Sequence, residues 1–374
     1  MKILIAPDKF KGSLTAEEVC RAVEFGLREH FPDAEINSVP LADGGEGTCE
    51  LLTKFFHGKT HQVNVHNPLF DSTTSEYGIA QEGKTAFIEM AKASGLQLIS
   101  KEKQNPLYTT TYGTGELIRD AITKGVKKII LGIGGSATND AGIGMAEALG
   151  YEFYDRHGKR IKPTGENLIH IHSISFKNIH PQLNSTEFIA LCDVNNPLYG
   201  TSGAAYVYGP QKGADEKAVK ILDEGLRIFE EVMAKAFGKP ANFPGAGAGG
   251  GIASGAHIFL NAQMQKGIDY IINATELEEK IKQTDWVITG EGKIDTQTLS
   301  GKVVGAVSKL AHRHKKKVIA ICGRCELSGE EFRQIGINQV LSLTDATITA
   351  EKAIKNGYQL IKIKIAENSS IFLI

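Results

Sequence analysis

The chain has no long apolar run, no excess of either charge and few cysteines, and each lack removes a class of protein. No apolar stretch approaches the ~20 residues needed to cross a bilayer. The N-terminal MKILIA turns polar at Pro7-Asp8-Lys9, too short an apolar core for a secretory leader, so the cytoplasm is the expected compartment. Lys and Arg total 42 against 43 Asp and Glu, a formal net charge of −1. That balance offers no electrostatic footprint for nucleic acid or for an anionic membrane surface. The five cysteines (Cys20, Cys49, Cys192, Cys322, Cys325) are scattered and odd in number, which argues against a disulfide framework. Cys322-Gly-Arg-Cys325 has redox or half-zinc-site spacing. No second CxxC or nearby His pair completes a tetrahedral site, and Cys322 closes an apolar run that reads as a buried strand.

What is present is glycine and an ample core. At roughly 150 residues per domain, a chain of this length predicts two domains, and 41 % apolar residues suffice for a packed interior. Glycine numbers 41 in 374 residues, where a typical share of about 7 % would give about 26. It concentrates in short loops, several of them directly after apolar runs. At the N-terminus an apolar run (2–6) leads into a helical pattern (16–29) with Thr15 as N-cap, then a second strand (35–40) and a second helix (49–56). The C-terminal part repeats this grammar with strands at 285–289, 317–322 and 340–343 and a helix at 302–312. Alternating strand and helix predicts βαβ units on a parallel sheet covered on both faces, with ligands at the carboxyl ends of the strands. The middle differs: residues 73–90 and 151–161 read as hairpins around one βαβ-like unit at 115–149. The expected architecture is therefore α/β: a discontinuous, doubly wound, Rossmann-like parallel-sheet domain (1–75 and 285–374) with an inserted mixed α/β domain (76–284).

Three glycine patterns invite nucleotide readings. Gly78-x-x-x-x-Gly83-Lys84-Thr85 spells a Walker loop, but the residues before it are polar and Gly83-Lys84 sits where a hairpin turn is expected. The run 244–255 contains GxGxxG with no strand before it, so it reads as a loop needing close backbone approach or unusual dihedrals, or as a hinge. Gly132-x-Gly134-x-x-Ala137 is better placed, after an apolar strand and before a helix, with Glu152 about 20 residues on. It keeps an NAD-dependent oxidoreductase open as the alternative function. Its continuation, Ser136-Ala-Thr138-Asn139-Asp140, brings more polar groups than a pyrophosphate cradle needs; a plain helix cap is the bland reading.

The remaining loops mix glycine, carboxylate and lysine: Asp8-Lys9-Phe-Lys11-Gly-Ser13, Asp43-Gly44-Gly45-Glu46, Cys192-Asp193-Val-Asn195-Asn196 and Gly290-Glu291-Gly292-Lys-Ile-Asp295. Lysine neutralises phosphoryl oxygens, carboxylates hold Mg²⁺ through few contacts, and one carboxylate can take a hydroxyl proton. Together these loops fit a site that handles phosphates with a divalent metal.

These segments, with Gly132-Ile-Gly-Gly-Ser-Ala-Thr-Asn-Asp-Ala-Gly142, resemble the signatures of bacterial glycerate kinases of the type I family. The resemblance runs in order from about residue 1 to 360. It implies ATP-dependent phosphorylation of glycerate, a Mg²⁺ requirement, no Walker loop, an active-site cleft between a Rossmann-like domain and a second α/β domain, and weakly favours the 2-hydroxyl. On this reading Asp193 is the expected base, and Lys9, Lys11 and Asp43 are catalytic. Ser13, Gly44, Gly45, Glu46, Gly134, Gly135, Ser136, Thr138, Asn139, Asp140, Asn195, Asn196, Gly290 and Gly292 contact substrate or phosphate, and Glu291 and Asp295 hold the metal. The expected partner is glycerate alone, with neither nucleic acid nor membrane; the sequence leaves the oligomeric state, a homodimer included, undecided.

Overall fold

The structure is a computed structural model and describes residues 1–299 and 302–373. The chain divides into two compact units, one formed by Met1–Asp43 with Ile268–Ile374 and the other by Gly44–Gly267. Each has its own apolar core, one around Ile3, Ile5, Val23, Ile288 and Ile319, the other around Ile88, Leu117, Leu131, Phe229 and Phe259.

In the first unit the strands are β1 (Lys2–Ile5), β2 (Glu35–Ser38), β11 (Trp286–Ile294), β12 (Lys317–Cys325) and β13 (Gln339–Ser342). They form one parallel sheet in the order β13-β12-β11-β1-β2. Helix Ala16–Arg28 buries Val19, Ala22, Val23 and Leu27, the face its spacing predicts. Its start is held by a reciprocal bond pair between Thr15 and Glu18, a capping box worth about 1 kcal/mol. Cys322 is fully buried in β12, and all five cysteines are free thiols.

In the second unit β3 (Lys59–His66), β4 (Ser72–Ala80), β5 (Thr85–Glu89), β6 (Lys128–Gly132), β9 (Glu187–Leu191) and β10 (Gln263–Gln265) form a mixed sheet in the order β10-β9-β6-β5-β4-β3. The pairs from β5 to β10 are parallel, whereas β3·β4 and β4·β5 are antiparallel. A separate antiparallel ribbon joins β7 (Glu152–Tyr154) and β8 (Ser173–Ser175).

Several expectations shift. The units meet in sequence at 43/44 and 267/268 rather than 75/76 and 284/285. Helix Thr48–Phe55 packs on β4 and β5, and β3 pairs with β4 along its whole length, so residues 44–75 belong to the second sheet. Helix Leu277–Lys282 packs on helix Val303–Arg313 of the first unit. The chain does turn at 155–160, but the strand partner of β7 is β8, which lies well beyond that turn. The segment 290–294 is a continuation of β11 rather than a loop, paired through Ile294 with Cys325.

Candidate active site

In the first unit the winding reverses between β1 and β11. The chain proceeds from β1 to β2 on one side and from β11 through β12 to β13 on the other. Ligands of open α/β sheets bind at such a switch point, beyond the carboxyl ends of the strands. A cavity of about 420 Å³ lies there. Asp8, Asp43, Glu291 and Asp295 line it, as do the cations Lys9, Lys11, Lys293, Lys302 and Arg324. The chain after β1 turns tightly, with Phe10 N–H donating to Leu14 O at 2.8 Å and Gly12 at φ +76°. In a continuing strand Lys9 and Lys11 would point to opposite faces; because the chain turns, both line the cavity.

Asp8 carried no expectation, although it occupies the same strand end as Lys9. Its N–H bonds Gly290 O at 2.8 Å, and its Oδ1 accepts from Lys9 N at 2.7 Å. Burial raises its pKa to about 7, and the charges of Asp43 and Glu291 push the same way. Burial likewise raises Glu291 to about 7, although Thr298 donates to its Oε1 at 2.6 Å and Lys302 favours the charged form. Asp295 is different. Its carboxyl is held low by the Gln297 N–H at 2.9 Å, and Lys293 pairs with it at 3.3 Å.

Crowded carboxylates that raise one another's pKa suit a cation. Among the described residues no three acidic, His or Cys side chains converge as a preformed cage. Mg²⁺ needs no such cage, since it takes one or two carboxylates and fills its octahedron with water and phosphate oxygens. Asp8 and Glu291 fit that demand better than Asp295, both of whose oxygens already have partners. Gly290 is buried inside β11, where its carbonyl anchors Asp8, while Gly292 lines the cavity. Ser13 also lines it but donates its proton to Ile354 O at 2.6 Å.

In the second unit β6 and β9 are parallel neighbours, and the loops at their carboxyl ends carry the other expected residues. Asp193 is exposed, and its Oδ1 accepts from Gly267 N at 3.0 Å. A Cβ on Gly44, at φ +88°, would lie 2.6 Å from Gly267 Cα and 2.8 Å from Asp193 Oδ2, so only glycine fits there. The nearest atom to a Cβ on Gly134 is Gly45 Cα at 3.8 Å. Gly44, Gly45, Gly134 and Asp193 are thus brought together, while Glu46, Gly135 and Asn195 are surface residues nearby in sequence.

Two expected binding residues are engaged in hydrogen bonds within the fold. Asp140 is wholly buried; it accepts from Thr111 N (2.7 Å), Thr111 Oγ1 (2.8 Å), Gly142 N (3.1 Å) and Gly144 N (3.3 Å). The following helix starts beyond that capture and runs over Ile143–Ala148. The Asn196 amide donates to Ser202 O at 2.8 Å and accepts from Tyr208 Oη at 2.6 Å. Thr138 Oγ1 and both amide atoms of Asn139 are buried without a hydrogen-bond partner among the described residues. Ser136 accepts at 2.6 Å from Lys212, a buried lysine that no pattern pointed to, standing alone in the turn Pro210–Lys212. Burial pushes its pKa down to about 7, against the opposing pull of Asp140.

The run 244–255 is explained by close approach. A Cβ on Gly250, at φ +76°, would fall 1.9 Å from Thr138 O. Glu152, the candidate ribose ligand of a dinucleotide site, lies on the separate β7–β8 ribbon. It is bonded to Tyr154 Oη at 2.9 Å and paired with Arg160 at 3.3 Å.

A switch-point cavity lined by lysines and crowded carboxylates, with no strand–Walker loop–helix unit among the described residues, fits an α/β enzyme that handles phosphoryl groups. Comparison with known proteins makes the class specific. The model of the glycerate kinase family matches residues 3–371. A glycerate kinase of Halalkalibacterium halodurans is 44 % identical over 361 residues, covering 96 % of this chain and 95 % of the relative. A glycerate 2-kinase of Escherichia coli is 44 % identical over 359 residues, 96 % and 94 % respectively. The crystal structure of a protein described as a candidate glycerate kinase 2 from Salmonella typhimurium LT2 superposes with a TM-score of 0.90 at 40 % identity, covering 100 % of this chain and 98 % of that one. The chain belongs to the glycerate kinase family and is a kinase; none of these matches points to an oxidoreductase. No helix among the described residues is long and apolar enough to cross a membrane.

Proposed function

We propose that the chain transfers the terminal phosphoryl group of ATP to glycerate, at the 2-hydroxyl in preference to the 3-hydroxyl. The observation that carries this reading is the cavity at the β1/β11 switch point, where five cations face four carboxylates. The E. coli relative named a glycerate 2-kinase supports the choice of hydroxyl. Lys9 and Lys11 neutralise the oxygens of the transferred group, where charge-assisted contacts in a closed site count most. Asp193 accepts the proton of the attacking hydroxyl, the role phosphoryl transfer to an alcohol requires of one carboxylate. The exposed Gly134-Gly135 pair turns backbone N–H groups toward an anionic group of a substrate, to which they donate. Asp8 and Glu291 would hold Mg²⁺, which when bound supplies charge neutralisation on the phosphate oxygens.

A coupled assay of ADP release tests the reaction, and phosphorus NMR of the product tests its position. Glycerate-dependent ADP release with 2-phosphoglycerate as the product is expected. Release without glycerate, or accumulation of 3-phosphoglycerate, would overturn the corresponding half of the reading.

A further inference from the structure

Lys212 lies outside every role assigned above, yet it is among the most tightly placed ionisable groups in the molecule. We propose that Lys212 is a positioning residue for the 134–140 loop, holding the Gly134-Gly135 backbone in its anion-accepting arrangement; this rests on the reading that the loop receives an anionic group of a substrate. Its Nζ donates to Ser136 Oγ at 2.6 Å and to Thr138 O at 2.7 Å, and the residue is 3 % exposed. Burying an ammonium is costly even when it is bonded, and a methionine of similar volume would fill the space without that cost. Packing alone therefore gives no reason for a lysine here.

The loop is gripped on its other sides by backbone and by neutral hydroxyls, with Thr109 Oγ1 donating to Ala137 O at 2.9 Å and Thr111 Oγ1 to Asp140 at 2.8 Å. Ala137 N donates to Ser94 O at 2.9 Å, and Leu96 N donates to Gly135 O at 3.0 Å. On a further side Gly250 lets the chain approach Thr138 O where any Cβ would collide. Within residues 134–140 only Gly134 and Gly135 stay exposed. Among the described residues Lys212 is the cation hydrogen-bonded to this loop, and the carboxylate that faces it, Asp140, is already occupied by four donors. Because Ser136 Oγ accepts from Lys212, its own hydroxyl proton is left for a further acceptor. The geometry ties the loop at Ser136 and Thr138, next to its exposed tip.

Steady-state kinetics on the full chain, with ATP and glycerate varied separately and Tm recorded for each variant, test this. Lys212→Met removes the ammonium at nearly constant volume. The expected result is a KM raised about 10- to 100-fold for one substrate and changed less than about 2-fold for the other. Lys212→Ala should regain that KM when propylamine, which replaces the deleted stem and ammonium, is supplied. Both KM values staying within about 3-fold of the parent, or equal losses for both substrates with no amine rescue, would overturn the proposal. If Lys212→Met does not fold, Ser136→Ala decides by the same split between the two KM values. Gly134→Val separates the two failures. If it is silent, the loop reading falls and this inference with it; if it is damaging beside a silent Lys212→Met, this inference alone falls.

Discussion

At the β1/β11 end of the first unit, Asp8, Asp43 and Glu291 face a cavity, and two of them are driven to a pKa of about 7 by burial and by each other. At the β6/β9 end of the second unit, Asp140 is more deeply buried yet accepts four hydrogen bonds from the loop and helix it caps. Both clusters follow parallel strands, and both are written in glycine, hydroxyls and carboxylates. The first crowds carboxylates and lysines around an open cavity, an arrangement suited to cations and phosphates. In the second, both Asp140 oxygens are spent on neighbouring donors, and Thr138 Oγ1 and the Asn139 amide are buried without partners among the described residues. Gly134, Gly135, Asp193 and Asn195 are exposed. Residue type at a strand end does not by itself separate ligand from scaffold; the supply of local donors does.

The largest expected effect lies in the first cluster. Lys9→Met and Lys11→Met should leave Tm nearly unchanged, since both side chains line the cavity rather than the core. At least one should lower kcat/KM by about 10² to 10³, the loss of a charge-assisted contact worth roughly 2.7–4 kcal/mol in the transition state. If both variants stay within about 3-fold of the parent, the cavity is not where the phosphoryl group is handled.

The second cluster should answer in the opposite way. Asp140→Ala leaves four donors without an acceptor in a buried place, at about 1–3 kcal/mol for each one left unsatisfied. Thermal melting should show Tm lower by roughly 10 °C, with activity at low temperature falling only as far as folded protein is lost. A variant with unchanged Tm and abolished turnover would return Asp140 to the binding residues.

How much of this was legible follows the same division. The buried strands β1, β6, β9 and β11 announce themselves as apolar runs, because parallel strands are covered on both faces. β3 (KTHQVNVH) does not, being a mostly exposed edge strand whose identity comes from pairing with β4. Of the charged residues that line the first cavity, Lys9, Lys11, Asp43, Glu291 and Asp295 stood out in the sequence as charges among glycines at strand ends, whereas Asp8, Lys293, Lys302 and Arg324 did not. The bonds that hold Asp140 and Asn196 were not legible, because Thr111 lies 29 residues from the one and Tyr208 12 residues from the other. Lys212 left no trace at all, as one lysine in a turn has neither period nor motif.

A smaller effect concerns pH. Lys212 has a folded pKa of about 7 against an ordinary 10.5, so between those values the unfolded chain binds one more proton than the folded one. Stability then rises with pH through that window, and the penalty of burying the charge is fully present below pH 7. Relative to Lys212→Met, the parent should gain stability from pH 7 towards pH 10, at up to about 1.4 kcal/mol per unit. Melting curves of both proteins across that range check it; a constant difference would mean that the lysine stays charged in the folded chain.

The smallest effect is expected at the Walker-like spelling Gly78–Thr85, which by letters alone is the strongest nucleotide signal in the chain. A phosphate cradle needs a helix after the Thr, but here Thr85 opens β5. Gln81, Glu82 and Gly83 take φ of +53°, +58° and +82°, the left-handed backbone of a tight hairpin turn. Gly78 is explained by helix packing, since a Cβ there would lie 1.7 Å from Thr53 Oγ1. Lys84 points into solvent and pairs with Glu82 at 3.2 Å, with the two side chains 69 % and 85 % exposed. An ion pair so exposed contributes about 0–1 kcal/mol. Lys84→Met should therefore keep both KM for ATP and Tm at the parent values, whereas loss of the invariant lysine of a true phosphate loop would abolish turnover. Should Lys84→Met raise the KM for ATP tenfold or more, the hairpin would join the nucleotide site, and the contrast between the two strand-end clusters would have to be redrawn around it.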